Sequence, residues 1–222
     1  FELQNGFEIN SGYETSTYLK DTETEIFLDG PAILLLNAYL FKEKEIVKIL
    51  EETSQFARPL IIFSHGVTGE AQNIMVLNSK KDIIRSCAVR AEGHKFSYIE
   101  FLKDLQAFTG GTIIDPAAGM NLEDFNPEWL GFCRNILIKS NKTIIQAYPE
   151  NLTIENRIKE LEYQKSINTF DWDNDRYLNR IARLTGGFGV LKVGGHTQSE
   201  KQERKGRIED ALLNGRACVE EG

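Results

Sequence analysis

At 222 residues, of which 41% are hydrophobic, the chain has enough apolar material for one sizeable core, alone or with an appendage. Its 26 Lys and Arg against 33 Asp and Glu give a formal charge of -7 with no basic stripe, which argues against a nucleic-acid partner because phosphate recognition relies on a basic footprint. The longest apolar run, "AILLL" from Ala32 to Leu36, is far short of the roughly 20 residues of a membrane-spanning helix.

Cys87, Cys133 and Cys218 lie far apart without a C-x-x-C spacing, which reads as buried thiols in a reducing, cytoplasmic compartment. His65, His94 and His196 are equally scattered and lack the local spacing of metal ligands, so no metal site is expected. The opening "FELQNG" carries no basic n-region, and both ends read as cut from a longer protein.

After a polar start, Pro31 introduces "AILLL", whose continuous apolarity predicts a strand buried on both faces. "KEKEIVKILEETSQFA" then predicts a helix with Ile46, Val47, Ile49 and Leu50 on one broad face. "PLIIF" at 59–63 predicts a second buried strand, "GEAQNIMVLNSKK" a helix, "IIRSCAVRA" a strand, and "FSYIEFLKDLQAF" a helix closed by Gly110 and Gly111. The alternation predicts an α/β core. "GGTII" adds a short strand, and "NILIKS" with "KTIIQA" a hairpin. "ENRIKELEYQKSI" and "DNDRYLNRIARL", joined by a turn-prone stretch, predict an antiparallel helix pair. "FGVLKV" and a final helix from about Gln198 finish the chain.

The cluster "RLTGGFGVLKVGG", Arg183 to Gly195, holds five glycines and suggests a phosphate cradle. Phosphate loops, however, run strand, glycines, helix, so that free helix N–H groups meet the anion. Here, as in "LKDLQAFTGGTII", the order is helix, Thr, Gly-Gly, strand. Glycine after a helix supplies the left-handed residue that ends it, so Gly186 and Gly187 are expected to shape backbone.

In the helix 69–79, Ile74, Met75, Val76 and Leu77 are consecutive and, at about 100° per residue, surround the axis. Either the helix is buried all round, or part of the set forms an exposed apolar patch of the kind that marks interaction sites. With Val47 and Leu50 as a second wall, helices 43–56 and 69–79 would enclose a groove for polypeptide, and flexible Met75 would let it adapt. Glu51, Glu52, Glu70 and Asp104 sit in helical patterns where a solvated face accounts for them. No nucleophile motif is present. On the last helix Ile208, Leu212, Gly215 and Val219 share one face, which points Asp210 outward between Arg207 and Arg216.

Read in order, "NGFEINSGY", "PAILLL", "RPLIIFSHGVTGEA", "CAVRAEG", "FTGGT" leading to "GMNLED", "LTGGFGVLKVGG" and "RIEDALLNGRACVEEG" resemble the apical domain of group I, GroEL-type chaperonins over essentially the whole chain. The resemblance implies a layered β/α swivelling apical domain over 6–187, with 1–5 and 188–222 belonging to a helical intermediate domain. The family's equatorial ATPase domain has no counterpart here, so the chain by itself would use no cofactor, while a full-length protein would use ATP and Mg. The resemblance further implies an ATP-driven, homo-oligomeric folding ring whose partners are non-native polypeptides and a GroES-type co-chaperonin. It assigns polypeptide and co-chaperonin binding to Tyr13, Thr17, Tyr18, Val47, Leu50, Gln72, Val76, Leu77 and Asn78, hinges to Gly6 and Gly187, and ATP hydrolysis to Asp210 in the full ring. Thr17 stands where the family has an aromatic and Gln72 where it has a leucine, and the "AEGHKFSYIEF" stretch departs from the family pattern. These departures describe a divergent member with a weaker or narrower groove, and leave open a dedicated binding adaptor or holdase without ATP-driven folding.

Overall fold

The apolar runs at 32–36 and 60–63 offer no polar face, and such strands are stable only when covered on both sides. The structure, a computed structural model, describes residues 2–20, 23–90, 96–148, 152–168, 171–190, 193–195 and 197–221. It divides into two compact units, Asn5–Gly187 and the two chain ends, Phe1–Gln4 with Phe188–Gly222. In chain order the elements are β1 (Glu2–Ile9), β2 (Ile26–Asp29), β3 (Ala32–Leu36), β4 (Tyr39–Leu40), α1 (Glu43–Ser54), β5 (Leu60–Ser64), β6 (Gly66–Val67), α2 (Gly69–Lys80), β7 (Ser86–Arg90) and α3 (Phe96–Thr109). There follow β8 (Ile113–Ile114), β9 (Gly131–Phe132), β10 (Asn135–Ile138), β11 (Thr143–Gln146), α4 (Leu152–Ile167), α5 (Asp171–Thr185), β12 (Gly187–Val190) and α6 (Gln198–Glu221). No described helix is long and apolar enough to cross a membrane.

The larger unit is a mixed α/β fold built on two larger sheets, with a short parallel pair of β4 and β6. In the first, β7, β5, β3 and β8 run parallel in that order, and β9 pairs antiparallel with β3. Every residue of β3 and β5 is buried, as is β7 up to Val89. Helix α3 covers β3, and Tyr98 ties the two by donating its hydroxyl hydrogen to the Leu36 carbonyl at 2.7 Å. Helix α2 packs beside β7. The second sheet is antiparallel, in the order β1, β11, β10, β2, and its strands alternate: Ile26 and Leu28 face inward while Phe27 and Asp29 face solvent. Continuous runs thus became parallel strands and alternating runs antiparallel ones, as the one-face or two-face burial of each sheet requires. The expected hairpin forms from β10 and β11, with Lys139 N–H donating to Lys142 O at 2.7 Å. Strands β1 and β2 lie in stretches that the sequence pattern leaves unassigned.

The two Thr-Gly-Gly turns differ, and this corrects the expectation that both end a helix alike. Gly110 closes α3 in the left-handed region at φ 76°, its N–H donating to Gln106 O at 2.8 Å. Gly186 is not left-handed; a Cβ there would lie 2.7 Å from the Ala182 carbonyl oxygen, so glycine is required by close approach. In the smaller unit β12 neighbours β1, and α6 begins at the expected residue. Its apolar face is not packed as expected, since Ile208 is half-buried and Leu212 is 61% exposed. Cys87 and Cys133 are buried, but Cys218 on α6 is exposed, against the expectation of three buried thiols. His94, His196, Leu191 and Lys192 lie outside the described residues.

A second correction concerns Asp104, which is 2% exposed and not on a solvated face. Helices α4 and α5 form the expected pair and bring Arg157 and Arg180 over α3. Arg157 donates to Asp104 Oδ1 at 2.9 Å, Glu100 Oε2 at 2.8 Å and Glu160 Oε2 at 2.7 Å. Arg180 reaches both Asp104 oxygens at 2.7 Å and Glu100 Oε2 at 3.1 Å. Each buried charge is therefore opposed and hydrogen-bonded, the condition under which burial of ions is tolerated.

Removing one member strands the others, so Asp104→Ala should destabilise the chain by about 3–5 kcal/mol in denaturant titration. Burial pushes the Glu100 carboxyl up, but hydrogen bonds and charge from Lys103 and Arg157 outweigh it and hold it at about 2. Its contribution is therefore present above the ordinary value of 4.5 and lost as pH falls from there through about 2, which acid titration of stability in wild type and Glu100→Gln should show. At the end of α1, exposed Ala57 adopts φ 49°, where a Cβ is disfavoured. Ala57→Gly should raise stability by about 0.5–1 kcal/mol, read as a higher denaturant midpoint at unchanged slope.

Candidate functional site

Helices α1 and α2 pack against each other, and their burial patterns decide what they show to solvent. On α1, Ile46, Ile49, Leu50 and Thr53 are buried at helical spacing, which leaves Val47 half-buried at the edge of that stripe. On α2 the buried stripe is narrow, just Ala71, Met75 and Ser79. Of the four consecutive apolar residues, only Met75 therefore turns fully inward. Ile74 and Val76 are half-buried, and Leu77 is 56% exposed. Of the two readings of this helix, the one with part of its apolar set on the surface describes it.

The nine residues assigned to binding divide into three groups. Tyr18 and Leu50 are core side chains; the Tyr18 hydroxyl points at Met75 Sδ at 4.0 Å, and burial raises its pKa well above the usual phenol value. They hold the walls in place and present little surface of their own. Val47, Gln72, Val76, Leu77 and Asn78 lie at or near the surface of the helix pair, with Asn78 tied back through Nδ2 to Ile74 O at 2.8 Å. Tyr13 is half-buried and bridges to Val89, while Thr17 is exposed and its hydroxyl lies 3.0 Å from that of Thr15.

Two exposed apolar residues next to this face escaped the sequence reading. Ile83 follows α2, its N–H donating to Asn78 O at 3.0 Å. Phe41 precedes α1, and its carbonyl accepts from Ala71 N–H at 3.4 Å in the first turn of α2. Both sit just outside helical periodicity, where an amphipathic count has no register. Acidic side chains around the pair behave as surface groups: Glu51 and Glu70 are exposed, and Glu52 accepts from Lys48 Nζ at 2.7 Å.

The remaining assigned residues lie elsewhere. Gly6 is buried and donates its N–H to Gly186 O at 3.3 Å, joining the first and last segments of the larger unit. Gly187 opens β12, and its surroundings lie outside the described residues. Asp210 is exposed on α6, while nearby Arg207 pairs with Glu203. Among the described residues no group of three or more His, Cys, Asp or Glu side chains converges as metal ligands would. A cavity of about 240 Å³ between α3 and α5, lined in part by Phe101, Arg176 and Arg183, adjoins the Asp104 network and includes none of the assigned residues. A comparison with protein-family models finds none that matches the chain.

Proposed function

We propose that the chain is the apical and partial intermediate region of a divergent GroEL-type chaperonin, and that it captures non-native polypeptides on the apolar face of α1 and α2. The observation that carries this reading is Leu77, 56% exposed beside half-buried Val76 on a helix whose neighbour offers Val47. A contiguous apolar face on a folded domain gains about 25 cal/mol for each Å² that a client covers, and an unfolded chain is rich in side chains able to cover it. The order of motifs along the chain supports the family. In that reading a GroES-type co-chaperonin competes for the same face, Gly6 and Gly187 are the hinges, and Asp210 acts on ATP held by an equatorial domain within a ring.

A second reading is favoured by one observation. Exposed Thr17 and half-buried Gln72 place polar groups at positions where a broadly adhesive face would be apolar. This suits an adaptor or holdase with one preferred partner, and stoichiometric recovery of a single protein without activity on generic unfolded chains would distinguish it. A nucleotide enzyme built on the glycine cluster has less support, because the glycines follow a helix and precede a strand.

Combined Val76→Asp and Leu77→Asp substitution places two charges on the face. Suppression of aggregation of a chemically denatured test protein should fall to the level of a buffer control, with the circular dichroism spectrum unchanged. Full retention of suppression would show that clients bind elsewhere.

A further inference from the structure

A buried carboxylate stands beside this face with half of its acceptor capacity unused. The Glu14 side chain is 4% exposed. Its Oε2 accepts the Val67 N–H at 2.9 Å, one residue before the Thr68 N-cap of α2. Its Oε1 has no hydrogen-bond partner among the described residues, and the Arg90 guanidinium comes only to 3.9 Å. The position is built to enclose it: Glu14 N–H donates to Ala88 O at 3.0 Å, which fixes the segment against β7. A Cβ at Gly66 would lie 3.2 Å from the Tyr39 ring and 3.5 Å from Glu14 Oε1, so glycine lets ring and carboxylate close over β6.

A glutamine or an apolar side chain would fill such a site without burying a charge, and an ion with one donor and a distant cation is destabilising. The segment that carries Glu14 also carries Tyr13, Thr17 and Tyr18, and it meets the end of β6 at Val67 through Glu14 and α2 at Met75 through Tyr18. We propose that Glu14 is a positioning residue, a proton-dependent clasp that holds the 13–18 segment on the entry to α2 when protonated and loosens it when ionised. The idea rests on the polypeptide-binding reading only for what the clasp positions.

Burial raises the Glu14 pKa, and the Val67 N–H and Arg90 oppose it without cancelling it. Among the described residues the groups around it are Arg90 and Cys87 from β7, Tyr39 from β4, Tyr18 from the 3-10 turn Ser16–Tyr18, and Tyr98 from α3, with the His65 ring stacked on Tyr98 at 3.7 Å and on Tyr39 at 5.5 Å and its pKa lowered by burial. The Cys87, Tyr18 and Tyr98 pKa values are raised, chiefly by burial and in part by Glu14 itself, so these three stay neutral and Arg90 is the cation of the set. Because the closed state prefers the protonated acid, the clasp is tightest below the ordinary value of 4.5 and weakens as pH rises through the raised one.

Amide hydrogen exchange of Val67 in the whole chain reads this directly. After correction for intrinsic base catalysis, Val67 protection should fall as pH rises from about 4 to about 8. In Glu14→Gln, which keeps the shape and an acceptor for Val67, it should stay flat. Protection that is independent of pH in the unsubstituted chain, or an equal fall in Glu14→Gln, overturns the clasp. Capture of a denatured test protein, measured over the same pH range, separates the two readings: a normal Val67 response with unresponsive capture supports the clasp and counts against the groove.

Discussion

Burial of β3 and β5 on both faces is the constraint from which the rest of the larger unit follows. Ten consecutive-run residues with no exposed side chain among them demand cover above and below the sheet, and only helices supplied by the β-to-β connections can give it. The connection from β3 to β5 contains α1 and that from β5 to β7 contains α2, so neighbouring parallel strands deliver neighbouring helices. The face proposed to bind polypeptide is thus a by-product of the sheet order. What turns it from ordinary cover into a surface is the narrowness of the α2 stripe, which spends Met75 on the core and leaves Leu77 outside.

Two buried acids show how differently the fold treats charge. Asp104 is held by two guanidiniums that bind α4 and α5 to α3, so its ionised form is fully opposed. Glu14 has one backbone donor and a guanidinium at 3.9 Å, so its ionised form is poorly opposed. The first arrangement fixes α4 and α5 to α3, none of which carries the apolar face. The second sits where the 13–18 segment meets the entry to α2, so that in the proposed clasp a change of protonation acts beside the face.

Much of this was readable from residue order. Unbroken apolar runs revealed β3 and β5, and two short apolar runs split at Asn141 revealed the β10–β11 hairpin, while the four consecutive apolar residues on α2 left burial all round and a partly exposed set equally open. The misses have physical causes. Strand β1 hides in a polar-looking start because only Phe7 and Ile9 of its latter half face the core. Asp104 looked solvated because its partners lie 53 and 76 residues further on, a separation that local spacing cannot see. Gly186 shares a tripeptide with Gly110 but not its dihedral, since the reason for glycine there is the Ala182 carbonyl. Of the residues that the resemblance assigns to binding, Tyr18 and Leu50 are the two that are buried and so present little surface.

The central claim is that non-native chains are held on the exposed face of α1 and α2. Backbone and methyl resonances of the chain, followed while an unfolded apolar peptide is added, test it most directly. The account predicts shifts concentrated at Val47, Val76, Leu77, Asn78 and Ile83, with Phe101 and Arg176 on the far cavity unmoved. Shifts confined to that cavity, or none at saturating peptide, would contradict it.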